Sequence, residues 1–280
     1  MGSEENDIMT QTLQLSPEII KLQEDIASLE KELGKVILER DEMLNTVKPN
    51  LEAEYQKKIG YKELERMETE ITARRYKRQV ELIRAAVNRQ ESIEENRIEK
   101  QLDDEFQEWY KKIKEQYQKV KEAEDRLNSL MSDDQNKEFK KLYRQIVFKL
   151  HPDLNPNQTK DEENLWHRIQ LAYKSGDLEE MRSLMIILET QDSSVELPSS
   201  KDILEKQQTK LAKQIQKIIN NMSELKQGFP FNIVGKLADK AWVNTKVEEI
   251  QEQINQWQEK CEHYEALIKV LLAIKETRIN

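Results

Sequence analysis

From Val247 to Leu271 the chain places Val247, Ile250, Ile254, Trp257, Cys261, Tyr264, Ile268 and Leu271 at alternating intervals of three and four residues. That spacing keeps the side chains on one stripe of a helix, and it is the pattern by which one helix packs along another. A stripe of this length specifies a long helix with a helical neighbour. Composition leaves little room for another architecture. Six glycines and six prolines in 280 residues cannot supply the turns of a sheet protein. With 35% charged against 37% hydrophobic residues, a single globule with a thick core is disfavoured. An all-α fold is predicted, and Cys261, lying in the stripe, reads as a small buried hydrophobe.

The same signature recurs upstream. Ser16-Pro17-Glu18 supplies an N-cap, a proline at the first helical position and an early acid. Leu22, Ile26, Leu29, Leu33, Val36, Arg40 and Met43 then form a seam with one polar interruption. Lys48-Pro49-Asn50 predicts a chain reversal, because proline disfavours helix in the residue before it. Beyond it Leu64, Met67, Ile71, Tyr76, Val80, Ile83 and Val87 predict an antiparallel return. The polar stretch Asn88 to Lys100 allows either a break or a solvated helix. Leu102, Phe106, Trp109, Ile113, Tyr117 and Val120 restore the apolar stripe as core. After Pro198-Ser199-Ser200, a helix bearing Leu204, Leu211, Ile215, Ile218, Met222 and Leu225 runs to Gly228-Phe229-Pro230, which opens a second hairpin.

Net charge is −9, so the whole molecule does not attract nucleic acid, and any basic surface must be local. The run Arg74-Arg75-Tyr76-Lys77-Arg78 is read as a solvated helical face, and a nucleic-acid partner is not expected. No apolar run approaches the roughly 20 residues that cross a bilayer. Met1 to Thr10 is acidic and polar, where a signal peptide is basic and then apolar. A soluble, cytoplasmic protein with no membrane partner is expected. A single cysteine excludes an internal disulfide and a multi-cysteine zinc site.

Ser132 to Glu189 differs in texture. Ser132 with Gln135, Thr159 with Glu162 and Asp177 with Glu180 stand in capping-box spacing, which predicts three short helices. The first ends at His151-Pro152-Asp153, and Leu154-Asn155-Pro156-Asn157 enforces a loop. Between Gln135 and His151 five basic residues, Lys137, Lys140, Lys141, Arg144 and Lys149, face one acid, Glu138. Lys137, Lys140, Lys141 and Arg144 share one helix face, suited to an acidic partner surface, while Tyr143, Ile146, Val147 and Leu150 point toward a partner helix. His151 and Asp153 flank a rigid proline and are expected to reach outward together.

This segment resembles the J-domain family, whose members activate DnaK-type heat-shock ATPase chaperones. The family's second helix carries Tyr-Arg/Lys-x-x-Ala-x-x-Tyr before His-Pro-Asp, where this chain has Tyr143, Arg144, Val147 and Leu150. Its third helix carries Phe-x-x-Ile-x-x-Ala-Tyr, where this chain has Trp166, Ile169, Ala172 and Tyr173. The resemblance implies an all-α chain in which a J-domain-like short-helix unit is flanked by long antiparallel coiled-coil hairpins. Its segments would be a flexible tail at 1–15, coiled-coil helices at 16–131, the J-domain-like unit at 132–190 and a helical hairpin at 198–280. It further implies chaperone binding through His151, Pro152, Asp153, Asn155, Lys140, Lys141, Arg144 and Lys149. The coils would supply a client or scaffold contact, or a homodimer. Neither an enzymatic activity nor a cofactor or metal is implied, since His151 and Asp153 are two potential ligands where a site needs three.

Departures from the family pattern are specific. Its usual first helix is missing, and Leu127 to Met131 would have to stand in for it. Leu154 and Gln145 occupy positions where the family commonly carries basic residues. The competing expectation is a structural coiled-coil scaffold with a degenerate J-like unit.

Overall fold

A computed structural model describes residues 16–128, 130–189 and 201–279. The expected tail at 1–15 and the helix-opening Pro198-Ser199-Ser200 lie outside the described residues. Ten α-helices occur among these residues, with no strand: α1 (Pro17–Glu42), α2 (Lys48–Tyr55), α3 (Tyr61–Asn88), α4 (Glu95–Asn128), α5 (Asp133–Leu150), α6 (Lys160–Ser175), α7 (Leu178–Glu189), α8 (Lys201–Gln227), α9 (Val234–Ala238) and α10 (Lys240–Ile279). The chain divides into two compact units that cut across its linear segments. One joins residues up to 46 with 131–226, and the other joins 47–130 with the residues from 227 onward.

In the first unit α1 begins as the sequence predicts, with Ser16 Oγ accepting the Ile19 N–H at 3.4 Å and Pro17 in the first turn. Its neighbour is α8. Glu18 pairs with Lys201 at 2.7 Å, Asp25 with Gln208 at 3.3 Å and Glu39 with Lys226 at 3.5 Å. The partner numbers rise together, so the two helices run parallel. Leu204, Leu211, Ile215, Ile218 and Met222 form the buried stripe of α8, as their spacing predicts. On α1 the buried positions are Ile26, Leu33, Gly34, Ile37 and Asp41. The buried stripe therefore turns away from Val36 and Arg40, and the residue it takes in is an acid.

The second unit is built on α2 and α3. No reversal occurs at Lys48-Pro49-Asn50. Residues Met43–Val47 form a widened π-type turn, and helix resumes at Lys48 with Val47 in helical conformation. Proline normally clashes with the carbonyl four residues earlier, here that of Asn45, and the π-type turn relieves the clash by shifting that carbonyl's register. The antiparallel return is made later, between α3 and α4, where Gln90 adopts φ +58°. Helix breaks in the polar stretch and restarts at Glu95. Arg75 binds Glu99 and Asp103, Arg78 binds Glu105 at 2.7 Å, and Arg126 donates to Asn50 at 2.7 Å. From Asn50 with Arg126, through Gly60 with Gln116, to Arg75 with Glu99, the α4 partner number falls as the other rises, which makes α4 antiparallel to α2 and α3. Ile71 of α3 buries with Leu102 and Phe106 of α4.

Helix α10 lies parallel to α3. Lys62 donates to Gln251 at 2.7 Å, and Cys261 Sγ donates to the Thr69 carbonyl at 3.6 Å. Ile59, Leu237, Ile250 and Ile254 cluster toward one end, and Val80, Ile83, Ala86, Ile93 and Ile268 toward the other. The two hairpins expected about Lys48-Pro49-Asn50 and Gly228-Phe229-Pro230 are thus replaced by different partnerships. α1 takes α8, and α3 takes α4 and α10. The seams are as spaced, but two of the three pairings are parallel.

Candidate functional site

The helix starts of the middle segment are set by local chemistry. Ser132 and Gln135 form a complete capping box on α5, and Thr159 and Glu162 form one on α6. At α7 the box is half made. Asp177 Oδ1 accepts the Glu180 N–H at 2.9 Å, while the Glu180 carboxylate goes to Arg168 at 2.6 Å. Gly176 closes α6 at φ +70°, a conformation in which a side chain is strained.

α5 and α6 meet through aromatic rings. Phe139 stacks on Tyr173 at 5.2 Å, Tyr143 on Tyr173 at 3.7 Å, and Tyr143 on Trp166 at 6.4 Å. Early α5 residues meet late α6 residues, so the pair is antiparallel and the His-Pro-Asp loop lies at its closed end. Tyr143, Ile146, Val147 and Leu150 are buried as expected. Leu178, Met181, Leu184, Met185 and Leu188 of α7 bury beside them, and Arg182 clamps Glu138 with two hydrogen bonds of 2.7 Å. α4 ends at Asn128, and Leu130 and Met131 are not helical. The additional helices packed on α5 are α1 and α7.

The structure corrects the expectation that His151 reaches outward. Its side chain is turned in and only 5% of the residue is exposed. Trp166 meets the ring edge-on at 4.8 Å, and Nδ1 accepts the Asp153 N–H at 3.0 Å, which places the proton of the neutral ring on Nε2. The His151 carbonyl accepts the N–H groups of Leu154 at 2.9 Å and Asn155 at 2.8 Å, and the Asn155 side-chain amide at 3.4 Å. Gln158 donates to the Leu150 carbonyl. His151 is the internal knot of the loop. Pro152 is exposed, and the Asp153 side chain, 40% exposed, is the polar group that faces outward.

Burial holds the His151 pKa below its ordinary value of about 6.5, against the opposing pull of the Asp153 and Asp41 carboxylates and with Arg40 adding to the depression. The linkage has one sign. As pH falls through about 6.5 the unfolded chain takes up the proton before the folded one does, so the contribution of neutral His151, complete above that pH, is progressively lost below it. Thermal unfolding followed from pH 7.5 to 5 is expected to show a declining midpoint whose slope is reduced in His151→Gln. Equal slopes in the two proteins would refute the assignment.

All five cations of α5 are exposed. Lys137 approaches Asp134 at 3.5 Å, and Lys140 is bound to Glu42 of α1 at 2.5 Å. Lys141, Arg144 and Lys149 make no ion pair among the described residues. Beside Glu42, Asp41 is 7% exposed and accepts the Tyr143 hydroxyl at 2.5 Å while pairing with its neighbour Arg40 at 2.7 Å. This raises the Tyr143 pKa well above the ordinary tyrosine range, chiefly through burial and then through the Asp41 charge. Sequence reasoning missed Arg40, Asp41 and Glu42 as parts of the site. The signal was present as the polar interruption of an apolar seam.

The three arginines of the basic run on α3 are occupied. Arg74 pairs with Glu70 and lies 5.3 Å from the rings of both Trp109 and Trp257, while Arg75 and Arg78 are held by the α4 acids. Glu105 is held down at about 2, first by its hydrogen bond from Arg78. His167 and His263 are remote from each other in sequence and both exposed. No cluster of three metal-ligating side chains occurs among the described residues. Cys261 is half-buried, and burial raises its pKa, an environment that disfavours the thiolate. No helix among the described residues is long and apolar enough to cross a membrane. Comparison with protein-family models, with curated proteins and with solved structures returns no match.

Proposed function

We propose that the chain is a J-domain co-chaperone that stimulates ATP hydrolysis by a DnaK-type heat-shock chaperone. The observation that carries this reading is the loop at the closed end of the α5–α6 pair. His151 is tied inward, so that Pro152 and Asp153 are presented from a fixed turn beside the unpaired cations of α5. Lys141, Arg144 and Lys149 would steer an acidic chaperone surface onto the helix, and Asp153 would take the contact at its end. Asn155 would act by holding the turn. The chain itself then carries no chemistry, and the coils recruit a partner or client.

A scaffold with a degenerate J-like unit is the second reading. It is favoured by Leu154, half-buried where the family commonly has a cation, and by the engagement of Lys140 with Glu42. Steady-state ATP hydrolysis by DnaK-type chaperones from the same cell separates the two. Wild type is expected to stimulate, and Asp153→Asn, which leaves the knot at His151 intact, is expected to lose tenfold or more of that stimulation, about 1.4 kcal/mol. Absence of stimulation by folded wild type across the chaperone paralogues would leave the scaffold reading in place.

A further inference from the structure

Lys140, Arg144 and Phe148 stand four residues apart and so form one ladder along α5. α1 meets the ladder at both ends. At one end Glu42 binds Lys140 and Asp41 takes the hydroxyl of the adjacent Tyr143. At the other, the α1 backbone comes so close that a Cβ on Gly34 would collide with the ring of Phe148. Arg144 sits between the two contacts, exposed and without an ion pair among the described residues. Glu42 of α1 therefore lies against the same basic face that an acidic partner would use, while Asp41 anchors α1 on the inward side of α5.

We infer that the Gly34–Glu42 stretch of α1 is a built-in competitor for the chaperone, its Glu42 carboxylate standing in for one of the partner's, so that docking on α5 requires this stretch of α1 to yield. This rests on the co-chaperone reading and specifies how that site is regulated. The physical case is one of charge and geometry. Glu42 neutralises one of the docking cations, and a partner approaching Arg144 meets the α1 helix on the same side. Population arithmetic then applies: apparent affinity is the intrinsic affinity multiplied by the fraction of molecules in which α1 has moved aside. The contact is poised to yield because Glu42 and Lys140 are each partly exposed, at 42% and 44% of the side chain, and exposed pairs are weak.

The test uses the full chain and a DnaK-type chaperone. Glu42→Gln is expected to lower the half-maximal concentration for ATPase stimulation about two- to five-fold, the effect of losing one exposed ion pair. Gly34→Leu, which wedges α1 away from Phe148, is expected to lower it further if circular dichroism shows the fold retained. Glu24→Gln makes the same charge change on an exposed part of α1 outside the contact and is expected to do nothing. Independently, amide exchange over residues 34–42 is expected to quicken when the chaperone is added. If wild type and Glu42→Gln stimulate with equal potency, or if those amides stay equally protected with chaperone bound, the competitor is refuted while the co-chaperone reading stands. If no protein in the series stimulates or binds the chaperone, both fall together.

Discussion

Trp166→Ala is expected to cost about 3–5 kcal/mol of folding free energy, the range for removing a large aromatic side chain from a packed core. For a domain of this size that corresponds to roughly 10 °C or more in the unfolding midpoint. Trp166 is 6% exposed, stacks on Tyr143 and forms the apolar wall against the edge of His151. Its removal does more than leave a cavity. Water reaching the His151 ring competes for Nδ1, and the Asp153 N–H that it holds is released into solvent. The loop is therefore expected to loosen beyond what the volume change alone imposes. Quickened amide exchange at Asp153, Leu154 and Asn155 would report this, and Trp166→Phe is expected to recover most of the stability. A loss below about 1 kcal/mol, with loop exchange unchanged, would show that the aromatic stack does not support the loop.

Periodicity made the helices legible because burial on one face leaves a mark on every third or fourth residue. The stripe Leu204, Leu211, Ile215, Ile218 and Met222 is buried as spaced, and the capping signals at Ser16, Ser132 and Thr159 mark true helix starts. Partner choice was not legible. A heptad seam states that a neighbour exists without stating which one or in what direction, and the nearest seam in sequence is only the simplest guess. Lys48-Pro49-Asn50 invited that guess, since a proline inside a helical pattern ordinarily ends it. The π-type turn at Met43–Val47 absorbs the misfit and carries the helix through. Nothing in the identities Met43-Leu44-Asn45-Thr46-Val47 specifies such a turn.

The candidate site divides in the same way. Its loop, its three helix starts and the inward face of α5 could be read from residue types and spacing. The direction of His151 could not, because a loop histidine before a proline is free in principle to face either way. What decides it is a tertiary event: Trp166, one loop and two helical turns later, covers the ring. Arg40, Asp41 and Glu42 escaped for the opposite reason. A charged triplet at the end of an apolar seam looks like a helix surfacing into solvent. Only packing of α1 on α5 shows that the Asp41 carboxylate is buried to meet Tyr143 and that Glu42 is aimed at Lys140.

Ile254→Ala is expected to destabilise the chain by about 2–5 kcal/mol, while Cys261→Ala, in the same heptad seam one turn of the repeat away, is expected to cost less than about 1 kcal/mol. By spacing alone the two positions are equivalent. In the structure Ile254 is 0% exposed and closes a cluster with Ile59, Leu237 and Ile250, so truncation removes three carbons from a site whose neighbours belong to three different helical segments and cannot all collapse inward. Cys261 is half-buried, and its sulfur makes one long contact to the Thr69 carbonyl, so truncation removes a single partly hydrated atom. The difference arises because α9 caps one end of the α3–α10 pair with Leu237, whereas the seam at Trp257, Cys261 and Tyr264 stays open to solvent on one side. Denaturant midpoints at constant m-value would measure both costs. Equal losses at the two positions would mean that the seam is buried uniformly along its length, as in a continuous two-stranded coil, and that the α9 cap contributes no additional burial.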